Sequence, residues 1–234
     1  MKTIQFIFCT GPIQVVVRDK PYAFTQNSLV VTDDTASVTG ASRDNWTSYL
    51  FYIGDFQRVY RELYDLLEPS SFVIGGTQEA YNVPVDNEII KVSQDLGKVS
   101  RKTLLQFIYS YCLGMDRQYF SQLLHSLVDA NKEFFEYLES NFLNPWPVAK
   151  YAEELGITVR KLNILFYEKF GISAKHWLIE RRLEHGREML LATRTKISDI
   201  AMDCGFSNHA HFSDCFKKKY GYSPTHIREV AQAN

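Results

Sequence analysis

Ile197-Ser198-Asp199-Ile200-Ala201-Met202-Asp203-Cys204-Gly205-Phe206-Ser207, then His211-Phe212-x-x-x-Phe216-Lys217-Lys218 and Gly221-x-x-Pro224, is the stretch that decides the fold. Ile197, Ile200 and Ala201 recur at helical spacing, Gly205 permits a sharp turn, and Phe206 plugs the angle between two helices. Ser207 or Asn208 caps the helix that follows, from which Phe212 and Phe216 face inward. This is a helix–turn–helix. The same logic occurs upstream in Val148-Ala149-Lys150-Tyr151-Ala152-x-x-Leu155-Gly156. There Thr158 is the cap, and Leu162, Leu165, Phe166 and Phe170 face inward. Ser173 to Ala192 reads as one amphipathic helix, ~30 Å long at 1.5 Å per residue. Successive major grooves on one DNA face lie about 34 Å apart, so two units on such a linker predict a domain that spans two grooves.

The outward positions supply the candidate site. In the first unit they are Thr158, Arg160, Lys161, Asn163 and Ile164, with Val159 and Tyr167 on the same outer face. Arg can bond guanine O6 and N7 with both arms, and Asn can do the same with adenine N6 and N7. In the second unit they are Ser207, Asn208, His209, His211 and Ser213, with Lys217 and Lys218 suited to phosphates. On the linker, Arg181, Arg182 and Arg187 are expected to point outward. They either pair with Glu180, Glu184 and Glu188 one turn away or reach phosphates.

The net charge of −1 hides an asymmetry, with 14 basic and 10 acidic residues from Asn144 onward against 12 and 17 before it. A basic C-terminal part suits phosphates, and an acidic N-terminal part does not. Cys9, Cys112, Cys204 and Cys215 form no C-x-x-C pair and read as reduced core thiols. No apolar run reaches membrane-span length, and Met1–Cys9 is too short and strand-like for a secretory signal, so the expected location is the cytoplasm, with no membrane partner.

The expected class is α+β. Ile4–Cys9, Ile13–Arg18, Ser28–Thr32, Ala36–Thr39 and Thr47–Ile53 read as strands separated by turn signals such as Gly11-Pro12 and Asp19-Lys20-Pro21. Phe56, Val59, Tyr60, Leu63 and Leu66-Leu67 then recur at helical spacing, closed by Glu68-Pro69. A short strand is expected at Phe72–Ile74, before Gly75-Gly76, and helices at 85–97, 100–113, 116–127 and 129–141. Leu104, Phe107, Ile108, Tyr111 and Cys112 form a stripe that is either core or a dimer face. Three segments result: a β-rich regulatory domain at 1–80, a helical segment at 81–143 that could carry dimerisation, and the double helix–turn–helix at 144–234. Pro145 and Pro147 mark the last boundary.

The string Gly205-Phe206-Ser207…Phe212…Phe216-Lys217-Lys218…Gly221-Tyr222-Ser223-Pro224 resembles the signature of the AraC/XylS family of bacterial regulators. Phe142-Leu143-Asn144-x-Trp146, Trp177-x-x-Glu180-Arg181-Arg182 and Ser198-x-Ile200-Ala201-Met202 resemble the VirF/ExsA-type activators of type III secretion genes. The resemblance implies a sequence-specific activator that binds promoter double-stranded DNA and contacts RNA polymerase, bound to the nucleoid when engaged. It implies an incomplete cupin-like β domain in front of the helices. It places base reading on Arg160, Asn163, His209, Ser213 and Asp214. Asp214 departs from the basic or amide side chain common there: a carboxylate repels phosphate, though it can accept from cytosine N4. The second unit therefore either reads bases or mainly holds the backbone.

An enzyme is not expected, because the chain shows no nucleophile–base pair and no phosphate loop. No cofactor or metal is expected: the first histidine is His125, outside the β region, and His209 and His211 lie two apart on a helix, so they cannot join Cys204 and Cys215 around one ion. Two alternatives remain. One is a protein-binding co-regulator with weak DNA affinity of its own. The other is a small-ligand sensor of metabolic genes, with Phe6, Phe8, Phe24, Phe51 and Tyr52 lining a pocket instead of a core. Residues 1–143 are expected to control activity by binding a regulatory protein or a second copy of the chain.

Overall fold

The computed structural model of the chain describes residues 3–25, 27–39, 45–69 and 79–233. They separate into two compact units, Met1–Lys132 and Glu133–Asn234.

The first unit holds two antiparallel sheets. β1 (Thr3–Cys9), β4 (Ser28–Thr32), β6 (Trp46–Tyr52) and β7 (Ala80–Pro84) form one, in the order β6-β1-β4-β7. β2 (Ile13–Val17), β3 (Lys20–Phe24) and β5 (Ser37–Thr39) form the other, in the order β3-β2-β5. Side chains alternate across a strand, so β1 serves both its faces. Ile7 and Cys9 meet Ile13, Val15, Val17 and Val30 in one cluster. Phe6 turns the other way, 5.9 Å from Phe51 and 6.4 Å from Phe56 of α1 (Ile53–Glu62), and Phe56 lies 5.8 Å from Tyr109 of α3 (Arg101–Met115). A sheet covered on both faces explains the near-continuous apolar runs of β1 and β4. Phe6, Phe8 and Phe51 are buried core side chains. Phe24 and Tyr52 are half-buried.

Two strands escaped the sequence reading. Asp19-Lys20-Pro21 reads as a turn, yet Val17 pairs with Lys20 and Pro21 sits within β3. The turn is only Arg18-Asp19, both at positive φ (47° and 66°), the backbone a two-residue hairpin requires. β3 is an edge strand, where a proline's missing N–H costs no ladder bond. β7 is the edge of the other sheet and ends on Pro84. The expected strand Phe72–Ile74 and Gly75-Gly76 lie outside the described residues.

α1 ends at Glu62, before the expected Glu68-Pro69, and a short 3-10 turn covers Tyr64–Leu66. α2 (Asn87–Val99), α3 and α4 (Arg117–Asp129) start at the caps Asp86, Ser100 and Asp116, which accept from the backbone N–H of Ile89, Thr103 and Tyr119. Leu104, Ile108 and Cys112 are buried within this unit, while Phe107 and Tyr111 are half-buried.

Among the described residues the regular structure of the second unit is all helix: α5 (Lys132–Asn141), which begins on the last residue of the first unit, α6 (Val148–Glu154), α7 (Val159–Phe170), α8 (Ala174–Ala192), α9 (Ile197–Asp203), α10 (His209–Tyr220) and α11 (Pro224–Ala233). α5, which the periodicity grouped with the preceding helices, contributes Leu138 to the core of this unit. That core gathers Tyr151, Ala152, Leu162, Phe166 and Leu178 around the first helix–turn–helix. A second gathers Leu183, Leu190, Ile200, Ala201, Phe206, Phe212 and Phe216 around the second. α8 thus feeds both cores from one helix of 19 residues, about 28 Å long at 1.5 Å per residue.

Candidate nucleic-acid interface

The two recognition helices, α7 and α10, start the same way. Thr158 Oγ1 accepts from Lys161 N (3.2 Å), and Asn208 Oδ1 accepts from His211 N (2.8 Å). Asn208 and not Ser207 is therefore the second cap. The turns before them bend at Gly156 (φ 64°) and Gly205 (φ 74°), and both helices stop at left-handed glycines, Gly171 and Gly221.

α7 presents Arg160, Lys161, Ile164 (49% exposed) and Tyr167 (56% exposed) to solvent, with Val159 beside them. Arg160, Ile164 and Tyr167 fall at i, i+4 and i+7, one stripe of the helix. α10 presents His209, His211, Asp214, Lys217 and Lys218, with Ser213 half-buried among them. Ser213 Oγ lies 3.3 Å from His209 Nε2, one turn away on the same face, and the positions that match Arg160, Ile164 and Tyr167 are the exposed Ala210, Asp214 and Lys217. Ser207 is exposed in the turn, and His211 leans edge-on against Phe206. Lys219 belongs to the fold, since its ammonium sits 3.4 Å from Glu184 and 3.6 Å from Glu180.

Asn163 is engaged differently from Ser213. Its amide oxygen accepts from Ala174 N (3.1 Å), the first N–H of α8, and its amide nitrogen donates to Val159 O (3.2 Å). The first N–H groups of a helix have no partner within it, and Asn163 supplies one. In the second unit the matching position is Pro224, which has no N–H, so Ser213 has nothing to satisfy there. Ser173 and Ser223 cap α8 and α11 alike, accepting from His176 N and His226 N.

Of the linker arginines, Arg187 is exposed as expected, whereas Arg181 and Arg182 are not. Arg182 does not point outward: it is 9% exposed, donating from Nε to Phe142 O (2.7 Å), from Nη2 to Asn144 O, and to the Tyr151 hydroxyl (3.3 Å). Arg181 clasps Glu139 of α5 with both arms (3.1 and 2.8 Å) and covers the Phe142 ring, and its pairing with Glu184 is looser at 3.8 Å. These guanidiniums are spent on the fold. Helix periodicity could not show this, because their partners lie on a segment 38 to 42 residues away. Exposed cations that the sequence reading did not single out are Lys175 at the start of α8 and Arg194 and Lys196 between α8 and α9.

Burial pushes the Cys204 thiol up to about 12, as expected of a core thiol. Among the described residues no group of three or more His, Cys, Asp or Glu could hold a metal ion, and no helix is long and apolar enough to cross a membrane.

Two capped recognition helices, each preceded by a glycine turn and joined through α8, define a tandem helix–turn–helix domain. Residues 151–229 match the family model described as a helix-turn-helix domain, and this part of the chain is a helix–turn–helix domain of the AraC type. Over 93 residues the chain is 33% identical to the virulence regulon transcriptional activator VirF of Yersinia enterocolitica, covering 40% of this chain and 34% of that protein. It is 30% identical over 93 residues to the HTH-type transcriptional regulator ExsA of Pseudomonas aeruginosa, with the same coverage. The match spans about a third of the length of these relatives (34%). The C-terminal domain of the response regulator yesN of Fusobacterium nucleatum is 28% identical, covers 43% of this chain and 98% of its own, and superposes with a TM-score of 0.41.

Proposed function

We propose that this chain is a sequence-specific transcriptional activator that grips promoter duplex with α7 and α10 in successive major grooves. The observation that carries the reading is the pair of solvent-facing stripes on two helices fixed to one linker of groove-spacing length. In the first groove Arg160 reads a guanine edge, while Ile164 and Tyr167 supply apolar contact of the kind a thymine methyl accepts. In the second, His209 and Ser213 face base edges, Asp214 accepts from a cytosine amine, and Lys217 and Lys218 hold phosphates. Thr158, Asn208, Ser207, Lys161 and His211 flank these contacts, and Asn163 acts by holding α8.

The genes proposed are virulence genes, those of type III secretion in particular. The similarity to VirF and ExsA supports this, as do the Phe142-Leu143-Asn144 and Trp177-x-x-Glu180-Arg181-Arg182 motifs. RNA polymerase is the proposed second partner. Residues 1–143 would set activity through a regulatory protein or a second copy of the chain.

Selection from random duplexes at two salt concentrations tests the reading. An enriched motif with two parts one helical turn apart, weakened by salt and lost in Arg160→Ala, is expected. Retention without enrichment, or enrichment unchanged by Arg160→Ala, would overturn it.

A further inference from the structure

Four consecutive residues, Asn141 to Asn144, are held from three directions. From the first helix–turn–helix, the Tyr151 hydroxyl lies 2.8 Å from Asn141 O and 3.1 Å from Asn144 O. From the linker helix, Arg182 bonds the carbonyls of Phe142 and Asn144 and reaches the same hydroxyl. From the second helix–turn–helix, the turn at Gly205 approaches Leu143 O so closely that a Cβ there would overlap it, and that Cβ would lie 3.2 Å from Arg182 Nε. Each of the three elements belongs to a different part of the domain, and the carbonyls of one short loop serve them all.

The guanidinium is what makes the junction one piece. It is the charged side chain at the boundary between the two hydrophobic cores, next in sequence to Leu183 of the second and four residues past Leu178 of the first. Its planar fork fixes direction as well as distance, which an ammonium does not. A charge this enclosed is stable only while its carbonyl partners stay in place, so displacing the loop from either side is opposed.

We infer that Arg182, with the Asn141–Asn144 loop, is the positioning element that fixes the distance and twist between α7 and α10, and so sets which spacing of half-sites the protein accepts. Arg182 touches no base in this scheme. It acts through the two recognition helices, and the inference rests on the proposed DNA-binding function. Release of the clasp would leave each unit folded around its own core while the angle between them widens.

The test uses the full-length chain with nitroxide labels at Lys161→Cys and Lys218→Cys, in a Cys215→Ser background. The two labelled positions are exposed on the two recognition helices. Distance distributions are recorded for the parent, for Arg182→Lys and for Tyr151→Phe. The last removes only the hydroxyl and keeps the ring, so it serves if the lysine variant does not fold. Affinities are measured on the unlabelled chains, which keep Lys161 and Lys218, with duplexes carrying the enriched motif at its own spacing and with one base pair added, which turns one half-site by about 35°. The parent is expected to give a narrow distribution and to lose about tenfold or more in affinity on the longer duplex, a cost comparable to a mismatched site. The variants are expected to broaden the distribution and to shrink that loss to about threefold or less, chiefly by binding the native spacing less well. An unbroadened distribution in a folded variant overturns the inference whatever happens on DNA. So does equal weakening on both duplexes. A broadened distribution in a chain whose parent ignores spacing would leave the joint standing and sink the two-groove reading.

Discussion

Gly205→Ala and Gly156→Ala form a matched pair of perturbations. Both glycines sit in the left-handed region, at φ 74° and 64°. An alanine forced there costs about 1–2 kcal/mol from the contact of its Cβ with the backbone. At Gly156 nothing lies within 4 Å of the added atom, so the cost stops there. At Gly205 the added atom meets the carbonyl of Leu143, which Arg182 and Tyr151 prevent from retreating. Overpacking adds about 1–3 kcal/mol, and Gly205→Ala should therefore cost about 2–5 kcal/mol in total. Urea unfolding followed by tryptophan fluorescence measures both, with Trp46→Phe as background so that Trp146 and Trp177 report on the second unit alone. If the two alanines cost the same to within about 0.5 kcal/mol, the turn does not press on the loop and the argument for the joint fails.

Other substitutions separate folding from DNA reading. Asn163→Ala leaves the first N–H of α8 without its acceptor and should lower stability by about 1–2 kcal/mol, whereas Ser213→Ala should leave the melting curve unchanged and alter the selected DNA motif. Lys217→Ala and Lys218→Ala should each reduce the slope of log affinity against log salt by about 1 without changing the preferred sequence. In the first unit, burial alone would raise the Asp33 carboxyl, but hydrogen bonds from Thr35 and the Arg18 guanidinium outweigh it and hold it below its ordinary value. Its stabilisation is therefore present above the ordinary carboxylate pKa and lost as pH falls through the lowered value. Asp33→Asn should destabilise the chain at neutral pH, with the gap to the parent closing in acid melts.

Helix periodicity and turn chemistry made the second unit legible. The glycines at 156 and 205, the cap at Thr158 and the inward phenylalanines all lie where their spacing places them. Such signals are local. What escaped was non-local. Lys20-Pro21 reads as a turn unless one knows that β3 is an edge strand, where the missing N–H of Pro21 costs no ladder bond even though the residue pairs with Val16. Arg182 reads as surface because its acceptors are carbonyls, which carry no letter in the sequence. α5 reads as a continuation of α2–α4, since periodicity shows an apolar face without showing which core it joins. At the candidate site, exposure of Arg160 and Ile164 followed from the helix wheel, while the use of Asn163 as a strut needed the chain to come back at Ala174.

The exchange of Asn163 and Ala174 in one half for Ser213 and Pro224 in the other gives the two halves different evolutionary freedom. Where a backbone donor must be answered, the residue facing the groove is bound to its task, and a new preference there arrives together with a folding penalty. Where proline has abolished the donor, position 213 can sample new side chains at no such cost. On the proposed function, drift toward new promoters would begin in the second helix, while the first retains the ancestral address.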